Sequence, residues 1–446
     1  MTKIEIKLFD FIKKHITVIL FIIATIIGTI IHFCGINFQS DDFNSFLNGW
    51  WYNIQAGGIK GLANQVGNYN IPYQIIICLL TVTPLSALHA YKLLSIIFDI
   101  VLAISAGMLV NELSTKKSPF RFVLTYAIVY SSITVVFNSA FWAQCDSIYV
   151  SFILLAIYFM RKDRNILAFV MLGLSLAFKL QFFFILPVFI FYYILNRKVS
   201  FLHFLIIPLT DIVMCLPAIF LGRNPIDIVK IYVDQTDYGK LIQMNCPNIY
   251  AFMCEGTDVN NYYMFKTMSI VLTMLLLGIA LCVFIYKKID LSDANNFMLT
   301  AIWTSFTCLM FLSSMHERYG YLLDILLIVY VMAFGKYYWV AVGSNLVSLR
   351  GYCYYLFGNY SVVSLQYAAI FYVILYAYMT FVLYRDVISG GKKLDDTASA
   401  SSGSTSTGDA PASTPSDEAA EAVEETGEAK SANVIETATQ GKAVGN

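Results

Sequence analysis

At 446 residues the chain is long enough for two or three soluble domains, yet it is 58% hydrophobic and 15% aromatic with only 13% charged residues, against ~25% charged in an ordinary globular protein. With a mean hydropathy of +0.67, this apolar excess is more than a soluble domain can cover, and the sequence reads as an all-α polytopic membrane protein. Lys+Arg 29 against Asp+Glu 29 leaves no basic field for nucleic acid, and no Gly-rich phosphate loop, C-x-x-C knuckle or H-E-x-x-H helix occurs.

After Lys13, Lys14 and His15 an apolar run covers 16–36, ~20 residues and long enough to span. No small-residue cleavage site follows, so a retained first helix is expected. Next comes 72–88, which holds Pro72 and Pro84 and is short for a span. Further apolar runs lie at roughly 91–112, 119–137, 147–160, 165–180, 181–196, 201–221, 263–286, 296–313, 320–335, 337–349 and 363–385. The nine cysteines sit mostly inside these runs as small hydrophobes. Cys246 and Cys254 share a polar loop and are a candidate disulfide. From Lys393 onward the chain is Ser, Thr, Ala, Gly, Asp and Glu, too poor in apolar area to offset its chain entropy. The expected division is a membrane domain over 1–390 and a disordered cytoplasmic tail over 391–446.

Positive charge decides the fate of 72–88. If that segment lies at the interface, the clusters at 116–121, 161–164, 197–198 and 287–288 fall on the cytoplasmic side. If it crosses, all four move outside, against the positive-inside rule. The expected topology is therefore about 12 crossings with both termini cytoplasmic. The loop 37–71, the turn at Asp146, the loop 222–262 and the segment at His316 then all face outward. No inverted repeat of the kind common in secondary transporters is visible.

Four stretches on that outer side can carry chemistry. In SDDFNSFLNGWW, Asp41 and Asp42 follow the first helix, where a carboxylate can take a proton from an attacking hydroxyl; a solvated loop start is the plainer reading. Trp50 and Trp51 suit an interface belt or a sugar or lipid platform. In NSAFWAQCDSIY, Gln144 and Asp146 lie where one helix surfaces and another enters, facing a wet cavity or capping a helix. In FKLQ, Lys179 sits between apolar stretches beside Gln181. It calls for an anionic partner such as phosphate, or snorkels to the interface. In MHERYGY, His316, Glu317 and Arg318 put an imidazole, an anion and a guanidinium in three residues, and the arginine suits phosphate oxygens. Two intramembrane acids, Asp99 and Asp211, read either as pathway residues or as hydrogen-bond partners of neighbouring helices.

These stretches, with GNYNIPYQ, occur in an order and spacing that resembles the GT-C glycosyltransferases, and more narrowly the bacterial proteins related to the GPI mannosyltransferase, the PIG-V-like group. The resemblance covers roughly residues 16–385. It implies a GT-C-type bundle with juxtamembrane helices in the first outer loop. The implied activity is inverting transfer of a hexose, mannose among them, from a polyprenyl-phosphate donor to a glycan, glycolipid or protein acceptor at the outer face of the plasma membrane. It implies Asp42 as general base with Asp41 as the near alternative. Lys179, Gln181, His316 and Arg318 would hold the donor phosphate, and Gln144, Asp146, Trp50 and Tyr73 would bind acceptor or order the site. Tyr69 to Pro72 matches the family's Y-x-x-P juxtamembrane helix, supporting a non-crossing 72–88. Ala143 stands where the family commonly has Gly, and the acidic tail has no family counterpart. A divalent metal on Asp41, Asp42 and Asp146 is compatible with the residues; no other cofactor is expected. The rival reading is a transporter or flippase of lipid-linked saccharides, and a catalytically dead scaffold is the third.

Overall fold

The computed structural model describes residues 1–237, 240–253, 259–358 and 363–394. Cys254, and with it the candidate disulfide, lies outside the described residues, as does the chain from 395 onward, which holds nearly all of the expected tail. One compact unit takes in Met1–Asp395.

Sixteen α-helices occur among the described residues. The first five are α1 (Lys3–Phe33), α2 (Asn48–Gly57), α3 (Ile71–Leu80), α4 (Ala87–Leu113) and α5 (Pro119–Tyr130). Then follow α6 (Ile133–Val136), α7 (Asp146–Arg161), α8 (Asn165–Phe178), α9 (Leu186–Asn196), α10 (Phe201–Phe220) and α11 (Asp227–Thr236). The last five are α12 (Val259–Tyr286), α13 (Ala294–Phe311), α14 (Tyr321–Phe334), α15 (Tyr338–Phe357) and α16 (Leu365–Val382). A two-residue parallel ladder joins β1 (Gln243–Met244) to β2 (Met315–His316).

Five helical stretches are long and apolar enough to cross a membrane: Lys3–Phe33, Ala87–Leu113, Phe201–Phe220, Asn261–Tyr286 and Leu365–Ser389. A sixth follows if Pro119–Tyr130 and Ile133–Phe141, bent by 47°, are one span. The chain is thus a helical, multi-pass membrane protein. The bend breaks the run expected over 119–137 at Ser131 and Ser132, a Ser pair of the kind that interrupts helices. The helix expected over 337–349 continues to Phe357, its half-buried Arg350 donating to the Val363 carbonyl (3.0 Å). α1 starts well before its apolar run because Thr2 and Glu5 close a capping box, with bonds of 3.3 and 2.6 Å. Only 11% of its apolar window is buried, against 56% for α4. α1 is peripheral and α4 central, packed chiefly against α5, α7 and α14, in a core that takes in side chains such as Leu102, Ile153, Leu172, Met298 and Ile325.

The segment 72–88 holds only a short helix. α3 holds 10 residues, ~15 Å of helix against ~30 Å of hydrocarbon. Buried Lys92, near the start of α4, donates to the carbonyls of Gly35 (2.7 Å) and Phe38 just beyond α1. Further along both helices, His32 Nε2 meets Asp99 Oδ2 at 3.1 Å. α1 therefore ends where α4 begins. The opposite end of the bundle gathers the basic clusters. Lys117 and Lys162 both reach Glu112 (2.9 and 2.6 Å), and Asn165 donates to the Lys198 carbonyl (3.3 Å). Arg161 donates to the Ser292 carbonyl, and Asp290 binds Asn196 (2.7 Å) and Lys392 (3.3 Å).

Candidate functional site

At the end where α1 stops, a cavity of about 540 Å³ opens. Asp42, Trp50, Gln144, Lys179, Gln181, His316 and Arg318 line it. Asp146 stands directly behind the wall, bonded to its cations. Asp41 is exposed and off the cavity. Tyr73 is buried beneath Tyr69, with ring centroids 4.5 Å apart, so it supports the wall without touching the space.

Asp42 is aimed by local bonds. Ser40 Oγ accepts from the Phe43 amide (3.2 Å) and donates to the Trp142 carbonyl (3.2 Å), turning the chain as it leaves α1. Four donors then converge on the Asp42 carboxylate. Oδ2 accepts from Trp142 Nε1 (2.8 Å), Gln144 Nε2 (3.0 Å) and Arg318 Nη1 (3.4 Å). Oδ1 accepts from the Tyr355 hydroxyl (2.7 Å). Burial raises its pKa, but the Arg318 charge and the Tyr355 and Trp142 bonds outweigh burial and hold it below the ordinary 3.8. The group is an anion at neutral pH.

The turn that carries Gln144 is strained. Ala143 has φ +62°, the left-handed region that glycine enters freely and a Cβ resists. The departure from Gly noted in the sequence falls on the residue whose backbone calls for it. Three residues beyond Ala143, Asp146 is 1% exposed. Its Oδ1 pairs with Lys179 Nζ, and its Oδ2 accepts from Asn138 Nδ2 (2.7 Å). Lys179 sits where α8 breaks, in an extended conformation (φ −157°, ψ 136°) ahead of the 3-10 turn Leu180–Phe184. Its anionic partner within the protein is thus Asp146.

The loop after α13 brings the second cation. Ser314, at φ +60°, donates its amide to the Ile242 carbonyl (2.7 Å). The short ladder then presents His316, Glu317 and Arg318. Arg318 lies 3.4 Å from Asp42 and 3.9 Å from Asp146, its guanidinium 5.0 Å from the Trp142 ring centroid. Burial opposes its charge, but Asp42 and Asp146 more than restore it, and its pKa stands above the usual guanidinium value. His316 Nδ1 is 3.7 Å from the Glu317 carboxylate.

Three functional positions escaped the sequence reading. Trp142 and Tyr355 stack at 3.9 Å and 9° while each donates to one oxygen of Asp42. Trp142 stood inside a motif that had been singled out, and its indole N–H was the available signal; Tyr355, in an aromatic helix far along the chain, gave none. Lys266 of α12 also lines the cavity, held by Asp237 and by the Thr236 carbonyl (3.0 Å). The two intramembrane acids are elsewhere: Asp99 binds His32, and Asp211 accepts from Tyr232 (2.9 Å). Neither lines the cavity.

The residues present do not make a metal site. Among the described residues no group of three or more His, Cys, Asp or Glu is placed to hold an ion. Asp42 and Asp146 already have every oxygen engaged by protein donors, and Arg318 and Lys179 balance their charge. No family model matches the chain, and no curated protein matches it.

Proposed function

We propose that the chain is a GT-C-type membrane glycosyltransferase that moves a hexose, mannose among the candidates, from a polyprenyl phosphate to an acceptor at the outer face of a plasma membrane. The observation that carries this reading is one ionised carboxylate, Asp42, facing a cavity beside the partly buried guanidinium of Arg318. Inverting displacement needs those two parts. The acceptor hydroxyl oxygen attacks the anomeric carbon, its proton passes to Asp42, and the bond from that carbon to the phosphate oxygen breaks. The electron pair leaves on phosphate, already an anion, so no strong general acid is required. Arg318, Lys179 and His316 are the groups able to stabilise it.

The apolar lining supports a lipid donor: Phe46, Phe178, Leu180, Phe183, Ile270 and Leu312 share the cavity with these charges. For topology, α1 and α4 meet antiparallel at the cavity end, and the basic clusters gather at the other. With the basic end cytoplasmic, as the positive-inside rule requires, the cavity faces outward. Shorter apolar helices such as Asn165–Phe178 and Tyr321–Phe334 then complete about 12 crossings. Of the four pathway residues the rival flippase would use, Asp99 and Asp211 are spent on helix contacts, while Lys179 and Arg318 line the cavity.

Membranes containing the protein and radiolabelled polyprenyl-phosphate hexose test the reading. Label appearing in a new, alkali-stable glycosidic product supports it. Label that changes leaflet while remaining on polyprenyl phosphate makes the protein a flippase.

A further inference from the structure

The polar atoms that the protein leaves unmatched on the cavity wall describe the ligand. Gln144 is 2% and Gln181 8% exposed, and both line the cavity. No protein group donates to Oε1 of either side chain. The orientation of Gln144 is fixed by chemistry, since its Nε2 faces the Asp42 carboxylate, which only accepts; its carbonyl oxygen therefore carries the unmet demand. Gln181 sits beside the Tyr319 hydroxyl, and as placed its Oε1 has no hydrogen-bond partner. Arg318 Nε is the reverse case, a buried N–H with no acceptor. A buried acceptor left unmatched is costly, and a ligand that supplies a donor removes the cost. A phosphodiester has no donor to give, so it suits Arg318 and does nothing for the two glutamines. Hydroxyl groups suit the glutamines.

We propose that Gln144 and Gln181 form a sugar subsite, each accepting a hydrogen bond from a ring hydroxyl of the donor, while Arg318 takes the adjoining phosphoryl oxygen. This rests on the glycosyltransferase reading and deepens it. It moves Gln181 from the phosphate, where the resemblance placed it, to the sugar. It also makes the cavity specific for a glycosyl phosphate over a bare lipid phosphate. With Gln144 bound to both Asp42 and a ring hydroxyl, the anomeric carbon is held in register with the base.

Binding of short-chain polyprenyl-phosphate mannose and its singly deoxygenated analogues to the purified full chain tests the subsite without requiring turnover. In the wild type, removing either of two particular hydroxyls weakens binding by about tenfold or more. In Gln181→Met one of those hydroxyls ceases to matter, and in Gln144→Met the other does, so parent and deoxy donor then bind alike. The proposal is overturned if wild-type protein binds every deoxy analogue as it binds the parent. It is equally overturned if polyprenyl phosphate without sugar binds as tightly as the glycosylated lipid. The wild-type series alone decides the matter should either variant misfold. Hydroxyl-selective binding with no transfer to any acceptor leaves the subsite standing and removes only the transferase.

Discussion

The two ends of the bundle use the same kinds of residue to opposite effect. At the basic end Asp290 accepts from Asn196 Nδ2 and the Ser292 amide at 2.7 Å each, and meets Lys392 at 3.3 Å. Those donors tie three chain segments together, and none of them lines the cavity described above. At the other end Asp42 is also surrounded by donors, from Trp142, Gln144, Arg318 and Tyr355, yet all four line a cavity with it. Ion pairing alone therefore does not mark a site. What marks it is pairing around a space whose wall retains unmet donors and acceptors.

Several substitutions break or sharpen that contrast. The largest effect is expected for Lys179→Met, which strands the buried Asp146 carboxylate; loss of one partner of a buried pair costs about 3–5 kcal/mol, read as a large fall in the denaturation midpoint. Arg318→Gln comes next, lowering transfer by about 10²–10³-fold through lost charge stabilisation. It also changes the pH profile. In the wild type the folded pKa of Asp42 lies below its ordinary value, so the ionised form stabilises the fold above pH ~4 and that contribution fades as pH falls further. Wild-type transfer should accordingly show no acid limb from Asp42 between pH 5 and 7, whereas in Arg318→Gln burial prevails and the limb moves up. An unmoved limb would detach Arg318 from the base. Asp290→Asn, at the basic end, should cost about 1–2 kcal/mol of stability and leave transfer at the wild-type rate. The smallest effect belongs to Ala143→Gly, which relieves a left-handed residue and should raise stability by about 0.5–1 kcal/mol, seen as a slight rise in midpoint.

Much of this was legible in the sequence, for identifiable reasons. Apolar runs announce membrane helices because lipid leaves a chain few alternatives, and Pro72 and Pro84 marked 72–88 as too broken for a long helix, where the structure has the 10-residue α3. Asp42, Lys179, Gln144, His316 and Arg318 stood out because a polar residue between apolar runs is costly to keep. The choice between Asp41 and Asp42 was not legible, since it depends on how the chain turns at Ser40. Nor was the Lys179–Asp146 pair: each was suspected, but a pairing across helices leaves no local pattern. Tyr355 lay beyond reach altogether, one tyrosine among 30. Lys92 was hidden for a similar reason, because a lysine that caps a helix through backbone carbonyls needs no acidic partner to reveal it.

The central claim is that Asp42 is the base. The direct test is transfer from radiolabelled polyprenyl-phosphate hexose in membranes bearing wild type or Asp42→Asn at matched protein levels, with donor binding measured alongside. The account predicts retained donor binding and a loss of transfer of about 10²–10⁴-fold. Equal transfer by the two proteins would contradict it and take Asp42 out of the mechanism.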